Sequence, residues 1–247
     1  MKAKTFNIVL SLIVAGSLAA AIAQNKKWTD WSKKEAQKIL DDSPWAKQQI
    51  DTDNSQQMYS PTSAGAGITA QQRSVSAERS AVGATNQSTN VNFQVRFYSA
   101  RPIRQALARI IELNADGKMT PDQVAGLHNF GEVKSGDSII ITVTYSGNDQ
   151  RYTNDAMQAL NSAITATLKN DTYLQRSDNK QLFLEEYVPP GKDGFGARFI
   201  FLRNPDGKPF IDASTKEIRF FTKLSGAMKV DRRFKVADMM YEGQLEY

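Results

Sequence analysis

Apolar and polar positions divide this chain into four stretches of different character. The first is an uncharged, largely apolar run from Phe6 to Ala20, preceded by Lys2 and Lys4 and followed by Ala21-Ile22-Ala23, the small-x-small pattern that signal peptidase requires before Gln24. The run is shorter than the roughly 20 residues of a spanning helix, and small residues break up its end. Residues 1–23 are therefore expected to form a cleavable signal peptide, leaving no stable membrane span once it is removed.

Residues 24–50 form the second stretch. Ser32-Lys33-Lys34-Glu35 has the form of a capping box, and Ala36, Ile39 and Leu40 fall on one helical face, so a short helix is expected here. Pro44 after Ser43 suits the first position of a further helical turn. Trp28, Trp31 and Trp45 are all three tryptophans of the protein. They act either as a clamp that docks this segment on the main body or as an aromatic interaction surface, and the second role requires exposed rings. Residues 51–90 form the third stretch, rich in Ser, Thr, Gln, Asn, Ala and Gly and without sustained periodicity; a flexible linker reaching roughly 35 Å is expected.

The fourth stretch, 91–247, carries the periodic patterns of a folded core. Phe93 to Phe97 alternates as a half-buried strand, and Pro102 opens a helix with Ile103, Leu107, Ile110 and Ile111 at helical spacing. Pro121 to Asn129 predicts a second helix, and Ser138 to Tyr145 a β-branched strand. Asn154 to Leu168 predicts a helix with Met157, Leu160, Ile164 and Leu168 on its buried face. Strands follow at Leu182 to Val188, Ala197 to Arg203, Glu217 to Leu224 and Met228 to Val236, separated by Pro-Pro-Gly and Asn-Pro-Asp-Gly turns. The fold class is α+β, a mostly antiparallel sheet with helices packed on one face, preceded by the short Trp-rich helical segment.

Composition narrows the chemistry. The chain has no cysteine, which excludes disulfides, thiolate metal sites and cysteine nucleophiles, and its single histidine, His128, leaves little room for Ser-His-Asp or multi-histidine schemes. The net charge of +5 falls to +3 when Lys2 and Lys4 are removed with the signal peptide, so no nucleic-acid partner is expected. Glu112 to Gln123 approximates an EF-hand loop lying between two helical patterns. Glu112, Asn114, Asp116 and Thr120 would offer side-chain oxygens and Lys118 its backbone carbonyl, with Gly117 at the sharp turn, so calcium is the cofactor this stretch would hold. Glu112 stands where an aspartate is usual, and Gln123 replaces the bidentate glutamate; the plain reading is a helix-loop-helix.

Other motifs read as scaffold. Pro189 to Gly196 is glycine-rich and contains Lys192, yet strands flank it on both sides, which favours a β-hairpin connection over a phosphate loop. Lys229, Arg232, Arg233 and Lys235 would be divided between the two faces of a strand, with Asp231 among them. Glu185 and Glu186 point to opposite faces and cannot pair as acid and base. His128 reads as a capping cation or surface residue.

At Trp31-Ser-Lys-Lys-Glu35-Ala-Gln-Lys-Ile39-Leu40 and Ser43-Pro44-Trp45-Ala46-Lys47, the chain resembles an uncharacterised family of secreted bacterial proteins with a Trp-rich Ser-Pro-Trp-Ala segment soon after the signal peptide. The stretch Arg233 to Tyr247 is similar to the end of such proteins. The resemblance implies export and a paired architecture and transfers no catalytic residue. The expected function is that of a non-enzymatic exported protein, periplasmic or secreted, that binds an envelope protein or an extracellular ligand. A carboxylate-based secreted hydrolase and a calcium-stabilised structural module are the alternatives.

Overall fold

A computed structural model of the chain describes residues 26–53, 89–134, 136–148, 150–226 and 228–247. The expected signal peptide, and residues 54–88 of the expected linker, lie outside the described residues. Among those described, no helix is long and apolar enough to cross a membrane.

A 3-10 turn at Trp28–Asp30 leads into α1 (Lys33–Asp41), which starts where the capping box predicts. The Ser32 backbone N–H donates to the Glu35 carboxylate at 2.7 Å, and the Glu35 N–H donates back to Ser32 Oγ at 3.3 Å. Ala36, Ile39 and Leu40 are buried, as their spacing requires. The chain then departs from expectation. Ser43-Pro44 does not begin another helical turn; the Trp45 N–H donates to Ser43 Oγ at 3.3 Å, Ser43 bridges to Ala46, and the chain enters β1 (Ala46–Asp53). Here β1 pairs antiparallel with β2 (Thr89–Phe97) from Ala46↔Arg96 to Asp53↔Thr89. The Trp-rich segment is thus an integral part of the core, and residues 51–53, 89 and 90 are strand rather than linker. Asp53 and Thr89 face each other at the end of this register, so the stretches on either side of residues 54–88 belong to one sheet.

α2 (Arg101–Asn114) and α3 (Pro121–Glu132) follow as a helical hairpin, α3 opening on a second capping box between Thr120 and Gln123. β3 (Ser138–Gly147) lies beside β2. The predicted helix from Asn154 to Leu168 is broken into α4 (Gln150–Ser162) and α5 (Thr165–Leu168). Its buried side chains are Ala156, Leu160, Ala163 and Leu168, while Met157 and Ile164 are 42% and 57% exposed. Leu160 and Leu168 are buried as their spacing predicts, whereas Met157 and Ile164 give way to Ala156 and Ala163, which pack more closely.

β4 (Thr172–Arg176), which the sequence reading missed, is a central strand. The single strand expected from Leu182 to Val188 is two: β5 (Gln181–Phe183) and β6 (Glu186–Val188). Between them the chain changes sheets, for the Leu184 N–H donates to Thr172 at 3.1 Å and the Glu185 N–H to Ile200 at 2.9 Å. β7 (Ala197–Leu202), β8 (Glu217–Lys223) and β9 (Lys229–Lys235) fall where predicted, followed by the small ribbon β10 (Met240–Tyr241) and β11 (Gln244–Leu245).

The strands assemble into two antiparallel sheets, β1-β2-β3-β7-β6 and β5-β4-β8-β9, so the fold is α+β with two main sheets rather than one. Alternation gives the first sheet a buried face of Phe93, Val95, Phe97, Ile141, Phe199 and Phe201. This face meets the second sheet through Phe97 with Phe234, ring centroids 4.9 Å apart, and Phe199 with Phe220 at 5.2 Å. Burial of each such ring contributes about 1.5–3 kcal/mol. Gln49 joins an edge of one sheet to an edge of the other: its amide donates to the Lys229 carbonyl at 2.7 Å and accepts from the Asp231 N–H at 2.8 Å. A side-chain amide here does what a peptide group does in a ladder.

Candidate functional site

A groove of about 570 Å³ opens between one face of α3 and the ends of β2 and β3. Gly126, Asn129 and Phe130 form its helical wall at positions i, i+3 and i+4 of α3, the spacing of one helix face, and Val133, the residue that ends the helix, extends it. Opposite them lie Tyr98, just beyond β2, and Ile140 of β3. The aromatic part of the wall is preassembled. Tyr98 packs on Phe130 at 6.0 Å and on Phe195 at 5.5 Å, and Phe130 stacks on Phe195 at 6.5 Å with an interplanar angle of 15°. Phe195 reaches this position from the glycine-rich connection between β6 and β7, the hairpin the flanking strands predicted. Gly196 adopts φ +86°, and a Cβ there would lie 2.5 Å from the Val143 carbonyl oxygen, so only glycine lets the connection lie against β3.

One cation is buried at the groove. Arg104 on α2 is 7% exposed and donates to the main-chain carbonyls of Ser99 and Val133; its Nε has no partner, and it forms no ion pair among the described residues. Burial lowers the pKa of its guanidinium, and the charge of Glu246 is the largest influence against that. That carboxylate is engaged elsewhere, 3.3 Å from Arg101. Burial also raises the pKa of the Tyr98 hydroxyl, with Arg198 acting against it. Lys134 and Asp137, both exposed, complete the charged lining.

The tryptophans are buried, at 6% exposure for Trp28 and 0% for Trp31 and Trp45, so the alternative of an exposed aromatic interaction surface is corrected to the clamp. Each indole N–H is satisfied: Trp28 by Glu132 at 2.6 Å, Trp31 by the Lys26 carbonyl at 3.2 Å and Trp45 by the Glu246 carbonyl at 2.8 Å. Trp28 thereby braces the end of α3, the groove wall. His128 belongs to the same bracing, its ring 4.9 Å from Trp28.

The six residues of the calcium reading surround the turn between α2 and α3. Glu112 is 2.9 Å from Arg109 and 3.6 Å from His128, and the Thr120 hydroxyl and Gln123 side chain are occupied with each other's backbone N–H groups in the capping box. Asp116 and Gly117 have φ of 50° and 74°, a left-handed turn. Asn114, Asp116 and Lys118 have exposed side chains, and no group of three or more His, Asp or Glu residues among those described is placed to hold a metal. The helix-loop-helix accounts for this geometry.

A second cleft of about 350 Å³ contains Lys47, Asp231, Arg232 and Arg233. Lys47 is 3.2 Å from Asp42, Arg233 is 2.7 Å from Glu217, and Asp231 is held bidentately by Arg219. Of the basic cluster of β9 this cleft holds Arg232 and Arg233, beside Lys47 of β1. Each cleft contains one carboxylate among its lining residues, whereas carboxylate hydrolysis requires two facing one another. Sequence reading passed over Tyr98, Arg104, Phe130 and Phe195. They come from four separate elements, and only the α3 face, at i, i+3 and i+4, carried a local signal.

Comparison with known proteins finds no match: no family model, no curated protein sequence and no solved structure aligns with this chain.

Proposed function

We propose that this chain is an exported binding protein of the periplasm or cell exterior, and that the groove between α3 and the β2–β3 ends is its binding surface. The observation that supports this most directly is the groove itself. Its volume of about 570 Å³ falls in the ~300–1,000 Å³ range of small-molecule sites, and it combines an apolar, aromatic wall with one buried polar anchor. Export rests on the N-terminal Lys-flanked apolar run and the Ala-x-Ala pattern. The binding reading is preferred over hydrolysis because the groove offers an anchoring cation without a pair of carboxylates.

A photo-cross-linking amino acid at Val133, a residue 51% exposed at the groove, tests the reading in intact cells of the native host. The expected result is a discrete adduct from the exported fraction, absent when the same group replaces Lys223 on the second sheet. Equal labelling from both positions, or retention of the chain in the cytoplasm, would overturn it.

A further inference from the structure

Gly126 is the least explained residue of the groove wall. Mid-helix glycine costs roughly 0.5–1 kcal/mol relative to alanine, so a structural reason is expected for it. Gly131 has one, since a Cβ there would lie 3.4 Å from both Gln105 and Trp28, at the close contact between α3 and its neighbours. Gly126 does not: a Cβ would meet nothing within 4 Å, and its φ is not in the left-handed region. What a side chain at this position would occupy is the groove. The missing side chain therefore keeps the space beside Phe130 open.

Arg104 supplies the second half of the argument. Desolvating a guanidinium is costly unless an anion or several acceptors compensate. Here two carbonyls do so in part, and no carboxylate of the described residues pairs with it. With Lys134 the groove has two cations against the single carboxylate of Asp137. This is an excess of one positive charge, beside an apolar wall of Phe130, Val133 and Ile140.

We propose that the groove accepts a small amphiphile with a singly charged anionic head, a carboxylate at the Arg104 end and an alkyl or aryl body along the Gly126–Phe130 wall. A dianionic head suits the site less, because Asp137 would oppose its second charge. This assignment rests on the groove being the binding surface, as proposed above, and adds the chemistry of what enters it. Arg104 also carries the Val133 carbonyl at the end of α3, so ligand binding and the position of the wall are linked through one side chain.

The test is calorimetric titration of the mature chain with octanoate, octanol and octylammonium, each below its micelle concentration. Titrations are repeated on Gly126→Leu, whose side chain projects into the groove beside Phe130, and on Arg104→Gln. The assignment expects octanoate to bind roughly tenfold or more tightly than octanol, as a charge-assisted hydrogen bond provides, with octylammonium weakest. Gly126→Leu should abolish binding while keeping the melting temperature, and Arg104→Gln should reduce the octanoate preference at least tenfold if it folds. Equal binding of octanol and octanoate, both lost in Gly126→Leu, would overturn the anionic assignment and leave the groove as the binding surface. Octanoate binding that survives Gly126→Leu would overturn the location. No heat with any probe would overturn the ligand class, and the cross-link at Val133 would then decide separately whether the groove binds at all.

Discussion

Glu35 shows how much a single side chain contributes locally. Its carboxylate accepts from the Ser32 backbone N–H and hydroxyl and lies 3.0 Å from Lys26, and these contacts lower its pKa from 4.5 to about 2. A folded pKa below the unfolded one stabilises the protein above the unfolded value; that contribution is lost as pH falls from about 4.5 toward 2. Glu35→Gln is therefore expected to lower the melting temperature near neutrality and to change it little at the acid end, where Glu35 is already protonated, so the acid limb of a plot of melting temperature against pH flattens. Gly196→Ala forces a Cβ against the Val143 carbonyl at a positive φ and should lower stability by about 2 kcal/mol in urea unfolding. The Ser32–Glu35 pair was readable because both partners lie within one turn of chain. Arg104 was not, since an arginine on an amphipathic helix looks the same from its neighbours whether it faces water or the interior; its burial is decided by Ser99 and Val133, which only the fold brings to it.

At the scale of elements, α3 is held from behind by parts distant in sequence. Trp28 bonds Glu132, Gln105 bonds the same carboxylate at 3.2 Å, and Arg104 holds Val133. Replacing Trp28 with Ala removes a ring that is 6% exposed, so a loss of about 3 kcal/mol is expected, with faster amide exchange in Leu127 to Glu132 than in the strands. α1 and α3, marked by capping boxes, α2, marked by Pro102 in its first turn, and β3, a β-branched run, lay where the pattern placed them. The β5–β6 step did not, because local alternation continues through Leu184 and Glu185 even though the two strands belong to different sheets. β4 escaped because five residues between loops give too few alternations to stand out.

At the scale of the whole molecule, the described residues centre on two antiparallel sheets whose aromatic faces meet, with the Trp-rich segment built into them through β1, Trp31 and Trp45. The sequence pattern had placed a domain boundary near residue 91, since compositional change marks where apolar residues stop and says nothing of which strands pair across the gap. The register from Ala46↔Arg96 to Asp53↔Thr89 shows that residues 91–247 alone lack an edge strand and its Gln49 bridge. A 91–247 fragment should accordingly give no cooperative thermal transition by circular dichroism, while the full mature chain gives one. The groove depends on that whole, because its wall is braced by Trp28 and its cation comes from α2. Gly126→Leu tests the binding role most directly: it obstructs the groove wall at a position where a Cβ meets no atom within 4 Å, so the fold is left intact. In the native host, with the photo-cross-linker at Val133, the account predicts an unchanged or higher melting temperature and loss of the cross-linked adduct. An adduct of undiminished yield from the equally stable Gly126→Leu chain would contradict it.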